Sequence, residues 1–152
     1  KKILVPLDGS ELAECVLPHV ESIAKGGEVE TVIFARVIYP EEHVSSYVYF
    51  DESVKKEIVE GNRKEVETYL GGIIGRVNLS GAAAQTVLLT GVPAETIADY
   101  AAKNDVDLIT IATHGRSGIS RWALGSVADR VVRSSCAPVL MVRAPGCVPG
   151  IA

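Results

Sequence analysis

Five short apolar runs alternate with four stretches of helical periodicity, and this alternation constrains the fold more than any other feature. The runs span residues 2–7, 29–38, 83–90, 106–112 and 138–143. They are dominated by Val, Ile, Leu and Ala, with few polar interruptions. That is the pattern of strands buried on both faces, not of strands with one wet side. Between them, residues 10–25 carry Leu12, Val16, Leu17, Val20 and Ile23 on one helical stripe. Residues 52–74 place Ile58, Val59, Val66, Leu70, Ile73 and Ile74 inward, with Gly61 as a weak point. Residues 94–103 do the same with Ile97, Ala98 and Ala101, and a last helix covers residues 125–134. The order βαβαβαβαβ predicts an α/β fold, a three-layer αβα sandwich around a five-stranded parallel sheet.

Punctuation residues set the boundaries. Asp8 or Ser10 caps the first helix, with Glu11 three residues after Asp8 as in a capping box. Pro18 bends that helix and Gly26-Gly27 stops it. Gly91-Val92-Pro93 forms a turn with Pro93 as the first helical residue. The irregular stretch 41–51 brings Tyr47, Tyr49 and Phe50, read as packing residues. Residues 1–143 form one domain, and 144–152, with two prolines and two glycines, form a loose tail.

At 152 residues the chain can bury a core without disulfide or metal staples. The net charge of −4 argues against a general nucleic-acid binder. No apolar run is long enough to span a bilayer, and no basic start leads into a signal segment, so no membrane role is expected. Cys15, Cys136 and Cys147 are odd in number and far apart, with no zinc spacing. They point to a reducing, cytoplasmic location, with Cys15 and Cys136 as small core residues and Cys147 in the tail.

In open α/β sheets, ligands bind beyond the carboxyl ends of the strands, where the strand order reverses. The two most chemically marked turns follow the first and fourth strands, which favours order 3-2-1-4-5 with a crevice between those strands. The stretch 109–127 runs from strand into a glycine-bearing loop and then to a helix start at Gly125-Ser126. Helix-start amides and the helix dipole attract anions, so a phosphate group is expected there. Glycines that only permit turns, with Ser126 as a plain cap, are the bland alternative. No Lys follows Gly125, so this is not a P-loop. Charge neutralisation falls to amides, to Arg116 or to a metal. Asp8 is either a helix cap or a ligand of ribose hydroxyls or a divalent cation. His114 has no acid partner or nucleophile at a telling distance and is read as structural. Arg121 is a further loop cation, and Trp122 packs the loop.

The chain resembles the universal stress protein family over nearly its whole length. The residues that carry the resemblance are Lys2-Ile3-Leu4-Val5-Pro6-Leu7-Asp8-Gly9-Ser10, Gly91-Val92-Pro93, Thr113-His114-Gly115-Arg116-Ser117-Gly118, Gly125-Ser126-Val127-Ala128-Asp129-Arg130-Val131 and Cys136-Ala137-Pro138-Val139-Leu140-Met141-Val142. The family's nucleotide-binding branch has Gly, two residues, Gly, nine residues, then Gly-Ser or Gly-Thr. Gly115 and Gly125-Ser126 match it, whereas the first glycine is Ala112 here. The resemblance implies an adenine nucleotide hydrolase-like fold that binds ATP, or AMP or ADP, with Mg²⁺ or Mn²⁺. Pro6, Leu7 and Val37 would wall the adenine, and Asp8 would serve ribose or metal. Gly115, Gly125, Ser126 and the amide of Val127 would hold the phosphates, with Ala112, His114, Arg116 and Gly118 also part of the nucleotide site. It further implies stress-response signalling to an unidentified protein partner, hydrolysis no faster than a slow ATPase, and a homodimer. The dimer would form through the fifth strand, Val139 to Val142, at the sheet edge. The rival is a dimeric interaction module with an empty or vestigial pocket.

Overall fold

In the computed structural model, which describes residues 1–40, 52–113 and 125–143, strand β1 (Lys2–Pro6) lies at the centre of a parallel sheet. Strands β2 (Thr31–Ile38) and β3 (Ala83–Thr90) extend the sheet on one side. Strands β4 (Leu108–Ala112) and β5 (Val139–Val142) extend it on the other. The order is β3-β2-β1-β4-β5, as the sequence predicts. Helices α1 (Glu11–Glu14), α2 (Leu17–Ala24), α3 (Glu52–Arg76), α4 (Pro93–Lys103) and α5 (Ser126–Ser134) connect the strands.

Side-chain alternation divides the core in two. Ile3, Val5 and Leu7 join Val32 and Phe34 on one face, against Val16, Val20, Leu70 and Ile73 of the α1–α3 side. Leu4, Ile33, Ala35, Ile109 and Ile111 pack on the other face against Ile97, Ala101, Ala128 and Val131 of α4 and α5. Both faces are dry, which explains why the runs read as continuously apolar rather than alternating.

The expected single helix over residues 10–25 is two helices. Ser10, not Asp8, is the cap: its Oγ accepts the Ala13 amide at 3.2 Å. Pro18 lies in the first turn of α2, where its missing N–H costs nothing. A continuous helix would drive the Pro18 ring into the carbonyl of Glu14, and α1 ends at Glu14. Pro18 therefore separates two helices and does not bend one. Strands β2, β4 and β5 begin one or two residues later than their apolar runs, and α3 continues to Arg76. Cys15 packs against the core, but Cys136 is exposed, contrary to expectation.

Gly91 carries the chain from β3 into α4 at φ +149°, and an added Cβ would stand 2.3 Å from Thr96 Oγ1. Its amide bonds Ile38 O at 2.9 Å. Glycine is required at this turn. Among the described residues, no helix is long and apolar enough to cross a membrane. Tyr47, Tyr49, Phe50, Cys147 and the tail 144–152 lie outside the described residues.

Thr110 is fully buried in β4, and its hydroxyl has no hydrogen-bond partner among the described residues. Its desolvation is uncompensated there. Thr110→Val keeps the shape and removes the orphaned hydroxyl. It is expected to raise the unfolding free energy by about 1–2 kcal/mol, read from urea denaturation with an unchanged m-value.

Candidate functional site

The carboxyl ends of the strands open into a cavity of about 870 Å³, within the size range of nucleotide-sized pockets. It lies where the direction of winding reverses at β1 and β4, as the topology predicts. Pro6, Leu7, Asp8, Val37, Ala112, Gly125, Ser126 and Val127 all line it. His114, Gly115, Arg116 and Gly118, as well as Arg121 and Trp122, lie outside the described residues.

Each tip contributes through its backbone. Leu7 closes β1 onto β2, with its amide donated to Ala35 O at 2.8 Å. Asp8 then turns the chain, and Gly9 follows at φ +81°. Asp8 Oδ1 accepts both the amide of Ser10, at 3.0 Å, and its hydroxyl, at 2.5 Å. The Asp8 carboxylate is thus fixed at the mouth of β1 while Ser10 does the capping. Across the crevice, Thr113 donates its amide to Val142 O at 2.9 Å. Thr113 O in turn accepts the Gly125 amide at 2.5 Å, so the chain leaves and re-enters the site at one point.

Helix α5 starts at that point. Gly125 is its N-cap, and among the described residues no side-chain cap hydrogen bond is made there. The amides of its first turn carry the positive end of the helix dipole toward the cavity wall formed by Ser126, Val127 and Ala128. The Gly125 amide itself is engaged by Thr113, leaving Ser126 and Val127 as the better-placed donors.

The sequence reading missed several lining residues. Pro93 and Ile97 of α4 supply apolar wall on the α5 side. On the α3 side the cavity is lined by Val59, Asn62, Arg63, Glu65 and Val66. A signal was present, since Asn62 falls on the helical stripe of Val59 and Val66 and is the polar break in it. Arg36 also lines the cavity, and its Nη1 donates to Leu7 O at 3.4 Å. Among the described residues no group of three or more His, Cys, Asp or Glu is clustered to hold a metal ion. A cation here would use Asp8 with oxygens of its own ligand.

Behind Asp8, Glu14 ties α1 to α3. It accepts a hydrogen bond from Tyr69 Oη at 3.1 Å and pairs with Arg76 Nη2 at 3.0 Å. Burial raises the Tyr69 pKa well above the usual phenol value. The Glu14 charge and hydrogen bond and the Asp8 charge add to the rise, and Arg36 opposes it.

A raised folded-state pKa favours the protonated phenol in the native state. Its stabilising contribution is full below the unfolded pKa, about 10, and is lost as pH rises beyond it. Tyr69→Phe is expected to flatten the alkaline fall in stability above about pH 10, measured by urea denaturation across pH. An unchanged alkaline slope would contradict this coupling.

The family model described as "Universal stress protein family" matches residues 1–143. A universal stress protein of Methanocaldococcus jannaschii is 35% identical over 95% of this chain and 83% of its own length. A second universal stress protein of that archaeon is 29% identical, over 94% of each chain. Its solved structure superposes with a TM-score of 0.82 at 32% identity, over 96% of this chain and 97% of that one. An Arabidopsis thaliana member solved with AMP bound shares the fold, with a TM-score of 0.67 and 15% identity over 96% of this chain and 93% of its own.

Proposed function

The chain belongs to the universal stress protein family, and on that premise we propose that it binds an adenine nucleotide, ATP foremost, in the crevice between β1 and β4. The observation that carries the proposal is the uncapped start of α5, facing the same cavity as Asp8 and the apolar tips of β1 and β2. Amides of Ser126 and Val127 would receive phosphate oxygens, joined by the loop residues His114, Gly115, Arg116 and Gly118. Asp8 would bond ribose hydroxyls or share a Mg²⁺ or Mn²⁺ ion with the phosphates. Pro6, Val37 and Ile97 would pack on the base. The AMP-bound Arabidopsis relative supports an adenine nucleotide as the ligand class.

Ala112, which replaces a motif glycine, is compatible with this role. Its side chain packs in the core on the α1–α3 side of the sheet, opposite the side that α5 covers. The methyl group is therefore directed away from the α5 amides. On this reading nucleotide occupancy changes a surface seen by a protein partner, with hydrolysis no faster than that of a slow ATPase.

One observation favours a second role beside it. Strand β5 is a sheet edge with Leu140 exposed, so a two-fold dimer through Val139–Val142 is proposed. If the pocket proves empty, the chain would be left as an interaction module of this kind.

Titration calorimetry with ATP, with and without Mg²⁺, tests the site. Binding is expected for the unmodified chain, with at least a tenfold loss in Gly125→Leu, where the side chain would crowd the α5 start. No heat with ATP, AMP or ADP, and no nucleotide released on denaturing the purified protein, would support the empty-pocket reading. For the dimer, Leu140→Lys is expected to lower the mass seen by light scattering.

A further inference from the structure

On the premise that the crevice takes an adenine nucleotide, we propose that Ser10 is a positioning residue for its sugar. Ser10 aims the Asp8 carboxylate at the ribose hydroxyls, and the site thereby tells a ribonucleotide from its deoxy analogue. Asp8 lines the cavity, and Ser10 does not. Gly9 stands between them at φ +81°. That left-handed residue folds the chain back on itself. The Ser10 amide, at 3.0 Å, and the Ser10 hydroxyl, at 2.5 Å, then both donate to one oxygen, Asp8 Oδ1.

An ionised carboxylate has about four acceptor positions, two on each oxygen. Ser10 fills both positions on Oδ1. A ligand hydroxyl therefore meets the carboxylate at Oδ2. Left to itself, the terminal torsion of an aspartate is broad and roughly two-fold, so its two oxygens exchange places easily. Two donors on one oxygen end that equivalence. One oxygen becomes structural and the other faces the ligand.

The Ser10 hydroxyl is itself fully used. It accepts the Ala13 amide at 3.2 Å and donates its single proton to Asp8. Ala13 is buried in the core. A chain of donors thus runs from a core-anchored amide through Ser10 to the acid, so the start of α1 and the aim of Asp8 are one unit. An acceptor-only carboxylate suits the O–H groups of ribose, and hydrogen bonds to a charged acceptor are the strong ones. A site built around a substrate hydroxyl rejects the analogue that lacks it. Among the described residues no cluster of three or more metal-ligating side chains surrounds Asp8. A hydroxyl, which needs one aimed acceptor, fits that setting better than a cation does.

Titration calorimetry on the full chain in EDTA, with ATP, 2′-deoxy-ATP and 3′-deoxy-ATP, tests this role. The unmodified chain is expected to bind ATP at least about tenfold more tightly than one of the two analogues. Ser10→Ala is expected to bring ATP down to the affinity of that analogue and to leave the analogue's own affinity unchanged. Ser10→Gly, which keeps most of the cap's stability, should do the same. Ser10→Thr, which keeps the hydroxyl, should retain the preference. In an Asp8→Ala chain, adding Ser10→Ala should change the preference no further, since Ser10 acts through Asp8. No binding of ATP by the unmodified chain would overturn the nucleotide reading and this role with it. ATP binding without a ribose preference would overturn the role of Ser10 alone. So would a preference that survives both Ser10→Ala and Ser10→Gly, an equal weakening of ATP and its analogues, or a preference that needs Mg²⁺.

Discussion

Strand β1 is hydrogen-bonded to β2 on one side and to β4 on the other, and the rest of the molecule follows from that double pairing. Right-handed crossovers to either side place their helices on opposite faces of a parallel sheet. Helices α1, α2 and α3 thus cover one face, and α4 and α5 cover the other. Where the winding reverses, the chains leaving β1 and β4 diverge to opposite faces. Among the described residues no side chain fills the gap between them, and the cavity is the space they leave.

The polar groups at the mouth of that cavity fall into two sets. On the β1 side, local partners hold them. Ser10 holds Asp8; behind it, outside the cavity lining, Glu14 holds Tyr69 and Arg76, which ties the short α1 to the long α3. On the β4 side, the first turn of α5 has no side-chain cap, since its N-cap is Gly125. A serine or aspartate at the cap position would have consumed one of those amides. Among the described residues the helix start is left with donors and a positive dipole end facing the cavity, against the carboxylate fixed at Asp8. This asymmetry between an acid and a row of amides is what the proposed binding of a ligand with both hydroxyls and phosphates rests on.

The two sheet edges differ for a related reason. The crossovers bury the faces but leave β3 and β5 each with one unpaired side. At β5 the apolar residues are few and Leu140 is exposed. At β3 the strand is longer, uncharged and free of proline. Among the described residues neither edge is closed by a further strand of the sheet.

Much was legible from the residues in order. Continuous apolar runs at strand length, separated by helical stripes, dictate a parallel sheet dry on both faces. The marked turns at Asp8-Gly9-Ser10 and after Ala112 were enough to choose the strand order and the position of the crevice. Pro18 announced a disruption, but its kind depended on the carbonyl of Glu14, which only helix geometry locates. Asn62, Arg63, Arg36, Pro93 and Ile97 were not identified as lining residues, because they come to the cavity from three separate elements. The amino-acid order alone determined which segments bury themselves and which end of the sheet carries glycines and an acid, since burial and backbone freedom are local properties. Tertiary structure decided which groups face one another across the crevice and that the Ala112 methyl lies on the side of the sheet away from α5. Those facts depend on distances between residues far apart in the chain, and no local preference encodes them.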